Sequence, residues 1–188
     1  MKKMILCIIM SLTTFAFSLV AQTNKMKVAP GYKISWELSI GYPFDINIIQ
    51  LKPDFIFDWS MGDENKGKVT VTNEGLTGAK KLINDFNNGE TIIYTKATTV
   101  IISEAIFKNL KAGKSVTINS NDTIQKLTFV NKEKMNVLVD GKEVPFDVLY
   151  AETDINHKYW IWDNAETPFI LKMDLGWVLQ IKSIITKK

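Results

Sequence analysis

The chain has 188 residues, with ordinary apolar and charged fractions of 46% and 23%. Such a composition excludes disordered and collagen-like chains, and the length suits one domain with its own hydrophobic core. All 23 basic residues are lysines, interspersed with 20 acidic residues. Nucleic-acid binders usually present arginine on a basic face, so nucleic acid is not an expected partner.

The N-terminus has the pattern of a secretory signal. Two lysines at 2–3 precede an apolar stretch at 4–10, and small residues follow up to Ala21. We therefore predict a signal peptide at 1–21, cleaved after Ala21 or Ser18, and an exported protein that is periplasmic or secreted. A retained membrane anchor is the alternative, although polar residues interrupt the apolar run.

Cleavage there leaves a nearly neutral mature chain without cysteine, because the single cysteine, Cys7, lies within the signal. The mature chain can form neither a disulfide nor a thiolate metal site, so its core must stabilise it unaided. We expect no transmembrane segment after cleavage. A flexible lead-in at 22–30 is predicted to precede a single β-rich domain at 31–188.

Alternating apolar and polar residues predict strands through the first part of the domain. Every second residue in 32–40 is apolar, which is typical of an antiparallel strand with one wet face. Further strands are predicted at 45–50 and 54–61, separated by Pro53, and at 68–72.

Two short helices are predicted in the middle of the chain. Apolar residues recur at three- and four-residue spacing from Leu76 to Phe86, and Asn-Asn-Gly at 87–89 is a stop signal. Ser103 is a typical N-cap for a second helix, which Gly113 would end.

Strands fill the rest of the chain. They are predicted at 115–119, 123–130, 135–139 and 144–150, with the Asp140-Gly141 hairpin turn between the last two, and in two or three pieces within 158–184. The closing segment begins apolar on both faces, as central strands do. About ten strands with two helices inserted mid-chain predict a mainly β or α+β fold: a strongly curved antiparallel sheet or a barrel-like domain.

Tryptophan is the residue type that best suggests a binding site. The candidates for lining an apolar groove are Trp59, Trp160, Trp162 and Trp177. An indole offers a lipid, glycan or partner peptide a large flat face and one donor. The alternative is that these side chains fill the core of a β protein. Trp160 and Trp162 are the strongest pair, because they share one strand face.

No catalytic residue, metal or cofactor is predicted. His157 is the only histidine, and no nucleophile-elbow motif is present, so serine and cysteine triads and ordinary zinc sites are excluded. Paired carboxylates could still support hydrolysis. The acids considered for such pairs are Asp54, Asp58, Asp147, Asp163 and Asp174.

Two polar motifs are predicted to lie in turns. The stretch 62–67 resembles part of a calcium loop, but its glycine is one position early, so a plain turn is predicted. Asp122-Thr123-Ile124 matches a short O-glycosylation acceptor motif of exported Bacteroidota proteins. Thr123 is therefore a candidate modification site, with an ordinary turn as the alternative.

Several of these stretches together resemble a group of uncharacterised, exported, β-rich proteins of Bacteroidota-type bacteria. The stretches are 55–61, 76–79, 84–90, 139–145, 159–164 and 168–177. The resemblance covers most of the mature chain. It implies export and a β-rich fold, and it brings no activity, catalytic residue or cofactor with it.

These observations favour a non-enzymatic envelope or periplasmic protein that binds an apolar or amphipathic ligand, or an envelope partner, in a cleft lined partly by aromatic side chains. A carboxylate-dependent hydrolase acting on glycans or peptides is one alternative, and it requires two acids facing one cleft. A structural or assembly component of the envelope is another. Such a component should show an exposed apolar patch or an open sheet edge.

Overall fold

The structure is a computed structural model that describes residues 26–186, so the predicted signal peptide lies outside the described residues. The strands are β1 (Lys33–Leu38), β2 (Pro43–Gln50), β3 (Phe55–Met61), β4 (Asn65–Val71), β5 (Lys81–Leu82), β6 (Thr91–Tyr94), β7 (Ala97–Thr98), β8 (Val116–Ser120), β9 (Thr123–Val139), β10 (Lys142–Thr153), β11 (Lys158–Trp162), β12 (Ile170–Asp174) and β13 (Val178–Ile185). The helices are α1 (Asn73–Gly78) and α2 (Glu104–Lys111).

All thirteen strands belong to one sheet, in the order β6-β4-β3-β2-β1-β13-β12-β11-β10-β9-β8-β5-β7. β13 also pairs with β9, which closes a ring of five strands within the larger sheet. The edge strands β6 and β7 are consecutive in the chain, so the two ends of the sheet approach to within about 11 Å where the chain links them. The fold is therefore mainly β, strongly curved and barrel-like without even closure, as predicted.

The core lies on the inner face of this curved sheet. The buried side chains of β1 to β4 follow the period-two pattern, and they are Ile34, Trp36, Phe44, Ile46, Ile48, Phe55, Phe57, Trp59, Val69 and Val71. Burying one large apolar side chain contributes about 1.5–3 kcal/mol. Trp36 also donates from Nε1 to the Ile170 carbonyl at 3.0 Å, which ties β1 to β12.

The helix predicted after Ser103 is confirmed as α2. The Ser103 hydroxyl accepts from the Ile106 N–H at 3.3 Å and donates to the Ala79 carbonyl at 2.7 Å. The cap therefore starts α2 and fixes it to the chain that follows α1. Phe107 and Leu110 are buried against the sheet, so the amphipathic pattern of this helix faces the core.

The helix predicted from Leu76 to Phe86 is wrong in its extent. α1 starts earlier, at a Thr72 cap, and ends at Gly78. Lys81 and Leu82 then form β5, in parallel with β7 and β8, and residues 83–90 have no regular secondary structure. Strands that are distant in sequence provide the backbone hydrogen-bond partners of these residues. The three- and four-residue spacing therefore reflects burial against different elements and not one helix face.

Two other boundaries differ from the prediction for similar reasons. β4 begins at Asn65, so the predicted turn at 62–67 is shorter, and β9 is one strand of 17 residues rather than two. β9 stays extended because it pairs with β8 at its start and with β10 and β13 farther on. The closing segment forms β11, β12 and β13 in the middle of the sheet order, as predicted.

Candidate functional site

The four candidate tryptophans occupy three different environments. Trp162 is 1% exposed, and its ring centroid lies 4.8 Å from that of Phe146, so it is a core residue. Trp160 is half-buried on the same face of β11 as Trp162, because the two residues pair with Tyr150 and Val148, which are two positions apart in β10. Trp59 and Trp177 lie at one end of the sheet, where both are close to the side chain of Phe86.

Trp160 is the centre of a ladder of partly exposed side chains from neighbouring strands. Its ring stacks on Tyr150 of β10 at a centroid distance of 4.8 Å, and the Lys172 ammonium of β12 lies 4.8 Å from its centroid. Its Nε1 donates to Glu133 at 2.9 Å. Because β10 and β12 flank β11, both faces of the indole are covered by neighbours, which favours a stabilising role for Trp160.

Ionisation of the Tyr150 hydroxyl in this ladder is expected to lower the stability of the protein at alkaline pH. Desolvation, a hydrogen bond donated to Glu152, and the charges of Glu152, Glu133 and Asp174 raise the pKa of Tyr150 to about 12. A tyrosine in the unfolded chain ionises near 10. The native state favours the neutral phenol, so its contribution is complete below about pH 10 and is lost as the pH rises towards 12.

Urea unfolding at several pH values between about 9 and 12 would measure this contribution. We expect the free energy of unfolding of the wild type to fall more steeply across that range than that of Tyr150→Phe, which has no phenol to ionise. Equal slopes for the two proteins would contradict the assignment.

An apolar pocket of about 30 Å³ lies at the end of the sheet where β1, β3 and β12 finish. Its lining residues are Leu38, Phe44, Met61, Asn84, Phe86, Thr99, Val100, Met173, Trp177 and Leu179. We call it the end pocket. Met61 also lines an adjoining open groove of about 540 Å³, in which Ile40 and Tyr42 are 69% and 56% exposed. Pocket and groove together form a partly exposed apolar surface.

The strand register explains how apolar residues from distant parts of the chain meet in the end pocket. Leu179 of β13 is the cross-strand partner of both Leu38 of β1 and Met173 of β12. Phe44 of β2 is likewise opposite Met61 of β3. Directly paired residues share a sheet face, so these five side chains point into the same space.

The Phe86 side chain covers the end pocket. Its ring stacks on Phe44 at a centroid distance of 5.4 Å and lies 5.2 Å from the ring of Trp59. The segment 83–90 that carries it is held at both ends, by Ile83 N–H donating to the Thr98 carbonyl at 2.9 Å and Gly89 N–H donating to the Lys66 carbonyl at 2.8 Å. Phe86 lies midway between these two anchors.

Two polar groups of the end pocket are unsatisfied. Within residues 26–186, neither Nδ2 of Asn84 nor Oγ1 of Thr99 has a hydrogen-bond partner, and Thr99 is 1% exposed. The next residue, Val100, has φ +50°, a conformation that is uncommon for a β-branched side chain. Buried polar groups normally have partners, and strained backbone is concentrated at functional sites, so these features distinguish the end pocket from a simple packing defect.

The acidic residues considered for hydrolysis do not form one site. Asp147 and Asp163 are neighbours, with Asp163 N–H donating to the Asp147 carbonyl at 2.8 Å, but lysine side chains pair with both carboxylates. Asp58 pairs with Lys68 across β3 and β4, and Asp174 accepts from a turn N–H. Among the described residues, no group of three or more His, Cys, Asp or Glu is placed to hold a metal ion.

Thr123 is exposed and is the first residue of β9. It follows the two-residue turn Asn121-Asp122, in which both residues have positive φ, of 45° and 64°. Such a turn is typical of tight hairpins. The hydroxyl is therefore accessible, and O-glycosylation of Thr123 stays a prediction.

Several residues of the end pocket carry no signal in the sequence. The predicted helix from Leu76 to Phe86 places Phe86 on its apolar face and includes Asn84. Thr99 and Val100 belong to an apolar stretch that carries no periodic signal, and a positive φ at valine has no sequence signature. Trp177 was found because tryptophan is rare and large.

No family model matches the chain, and a search of curated proteins finds no significant match. Among solved structures, the fold is similar to the crystal structure of the hypothetical lipoprotein YmcC from Escherichia coli (K12), with a TM-score of 0.39 and 12% identity over 88% of this chain and 92% of that chain. A similarity of this size carries no argument about function. Within residues 26–186, no helix has the length and apolar character needed to cross a membrane.

Proposed function

We propose that this protein is exported to the cell envelope and binds an apolar or amphipathic ligand in the end pocket. The observation that carries the proposal is an apolar pocket, with Trp177 in its lining, that adjoins exposed apolar side chains at Ile40 and Tyr42. Export is supported by the signal predicted at 1–21 and by the resemblance to exported Bacteroidota proteins.

The size of the end pocket defines how a ligand would enter. Its volume of about 30 Å³ is far below the roughly 300–1,000 Å³ of typical ligand sites. A ligand therefore has to displace the ring of Phe86 and use the adjoining groove of about 540 Å³. Phe86 is suited to such a movement because its segment has no helix or strand to hold its centre.

An envelope protein partner is the second candidate. It is favoured by the same exposed side chains, Ile40 and Tyr42, and by β6, an edge strand of the sheet with Ile93 63% exposed. Edge strands can pair with a strand of another protein. A protein partner would use this edge or the exposed rim, and it would not require the end pocket to open.

Titration of the exported protein with Nile red, a neutral apolar dye, tests the ligand proposal. We expect saturable binding to the wild type and affinity about tenfold lower for Trp177→Ala, which removes part of the pocket wall. Trp160→Ala is the matched control, because Trp160 is also partly exposed but lies outside the pocket. Absence of saturable binding, or equal losses in the two variants, would overturn the proposal.

A further inference from the structure

We propose that the ligand of the end pocket has an acyl chain joined to a neutral carbonyl group, as in an ester or amide, and that Thr99 and Asn84 donate hydrogen bonds to that carbonyl oxygen. This inference rests on the proposed function and specifies the chemistry of its ligand. The acyl chain takes the position that the Phe86 ring now occupies, against Phe44 and Trp59.

The two unsatisfied polar groups specify the head of the ligand. Asn84 Nδ2 is a donor, and the hydroxyl of Thr99 can donate one hydrogen bond. Both residues line the same pocket, and neither atom has a partner in the part of the chain that the structure describes. A carbonyl oxygen has two lone pairs, so one ligand atom can accept from both donors. An alkane could satisfy neither.

The charges around the pocket favour a neutral head over an anionic one. None of the lining residues of the end pocket is charged. Asp63 and Glu64 line the adjoining groove, and Asp85 precedes Phe86 directly. Burial, followed by the charges of Asp85 and Glu90, raises the pKa of Tyr94. A carboxylate entering this acidic and weakly solvated place would meet repulsion, and the described residues that line the pocket and the groove offer it no cation.

The packing of Phe86 favours a chain-like ligand body. The Phe86 ring contacts two aromatic side chains, Phe44 and Trp59, and its movement would free an apolar surface that suits an extended acyl chain. The anchors of the segment at Ile83 and Gly89 are backbone hydrogen bonds to β7 and β4, and these can persist while residues 85–87 move. Opening the pocket therefore leaves the sheet unchanged. The movement breaks the hydrogen bond that the Tyr94 hydroxyl donates to the Asp85 carbonyl at 3.5 Å.

Displacement of Nile red by two matched ligands tests the inference. The ligands are a monoacylglycerol and the fatty acid of the same chain length, at a pH where the acid is ionised. We expect the ester to displace the dye from the wild type at about tenfold lower concentration, a difference of about 1.4 kcal/mol. Thr99→Val, which keeps the side-chain shape, is expected to raise the ester concentration needed for displacement about tenfold, because the carbonyl oxygen loses one donor. The preference for ester over ionised acid comes from the surrounding charges and should persist in this variant.

The melting temperature of Thr99→Val and ligand binding by Phe86→Ala distinguish a loss of ligand recognition from a loss of folding. Thr99→Val should leave the melting temperature unchanged or raise it, because valine buries no unsatisfied hydroxyl. Phe86→Ala should bind both dye and ester more tightly, because the cover is removed. Equal displacement by ester and acid in the wild type, or equal displacement by the ester in the wild type and Thr99→Val, would overturn the head-group assignment and leave the proposed function standing. Absence of dye binding by the wild type would overturn the proposed function itself.

Discussion

Trp162→Ala is expected to lower the free energy of unfolding by about 3–5 kcal/mol and to leave the affinity of the end pocket for Nile red unchanged. Trp162 is 1% exposed, packs on the ring of Phe146 and lies opposite Val148 of β10. Removing the indole leaves a cavity that the hydrogen-bonded strands cannot close. Urea unfolding followed by circular dichroism measures the loss.

Two further variants test the position of Trp162 even if Trp162→Ala does not fold. Trp162→Phe keeps most of the ring and removes Nε1, which has no hydrogen-bond partner within residues 26–186, so it should cost less than Trp162→Ala. Trp160→Ala loses one aromatic stack, one cation–π contact and the hydrogen bond to Glu133, together about 1–3 kcal/mol. A larger loss for Trp160→Ala than for Trp162→Ala would contradict the placement of Trp162 in the core.

Gly67→Ala is expected to destabilise the protein by about 2–3 kcal/mol, because there is no room for a Cβ atom at this point of β4. The added carbon would lie 2.6 Å from the Glu90 carbonyl oxygen and 2.7 Å from Nε1 of Trp59. Glycine within a strand often marks such a close approach of another backbone. Thermal unfolding measures the effect, and hydrogen exchange at 85–90 should increase, since Glu90 ends the segment that carries Phe86.

Gly78→Ala is the matched control for this substitution. A Cβ atom at Gly78 would meet nothing within 4 Å, and its φ is not in the left-handed region. We expect a change between zero and a stabilisation of about 0.5–1 kcal/mol, because alanine restricts the unfolded chain. A Gly67→Ala protein that is as stable as Gly78→Ala would show that β4 and the segment 83–90 are not in close contact.

Structural features that depend on residues close together in the sequence could be predicted from the sequence. The alternation in 32–40 corresponds to β1, and Asp140-Gly141 connects β9 to β10 with both residues at positive φ. Ser103 starts α2 as a typical N-cap does. Side-chain alternation, turn chemistry and capping are local, so one stretch of sequence contains the information that determines each of them.

Features that depend on distant pairing could not be read in the same way. The two-residue strands β5 and β7 exist because other strands lie beside them, and their own residues carry no strand pattern. Phe86 has helical spacing from Leu76, yet its ring stacks on Phe44 of β2. The end pocket combines residues from five strands and three loops, so no single stretch predicts it.

The tryptophans show what the local sequence does not determine about a side chain. The sequence by itself determined a β-rich fold and a closing strand with apolar residues on both faces, because these follow from periodicity. Only the tertiary structure decided that Trp162 packs in the core, that Trp160 lies in a partly exposed ladder, and that Trp59 and Trp177 are close to Phe86. Whether an apolar side chain is buried, stacked or available to a ligand depends on which distant element covers its side of the sheet.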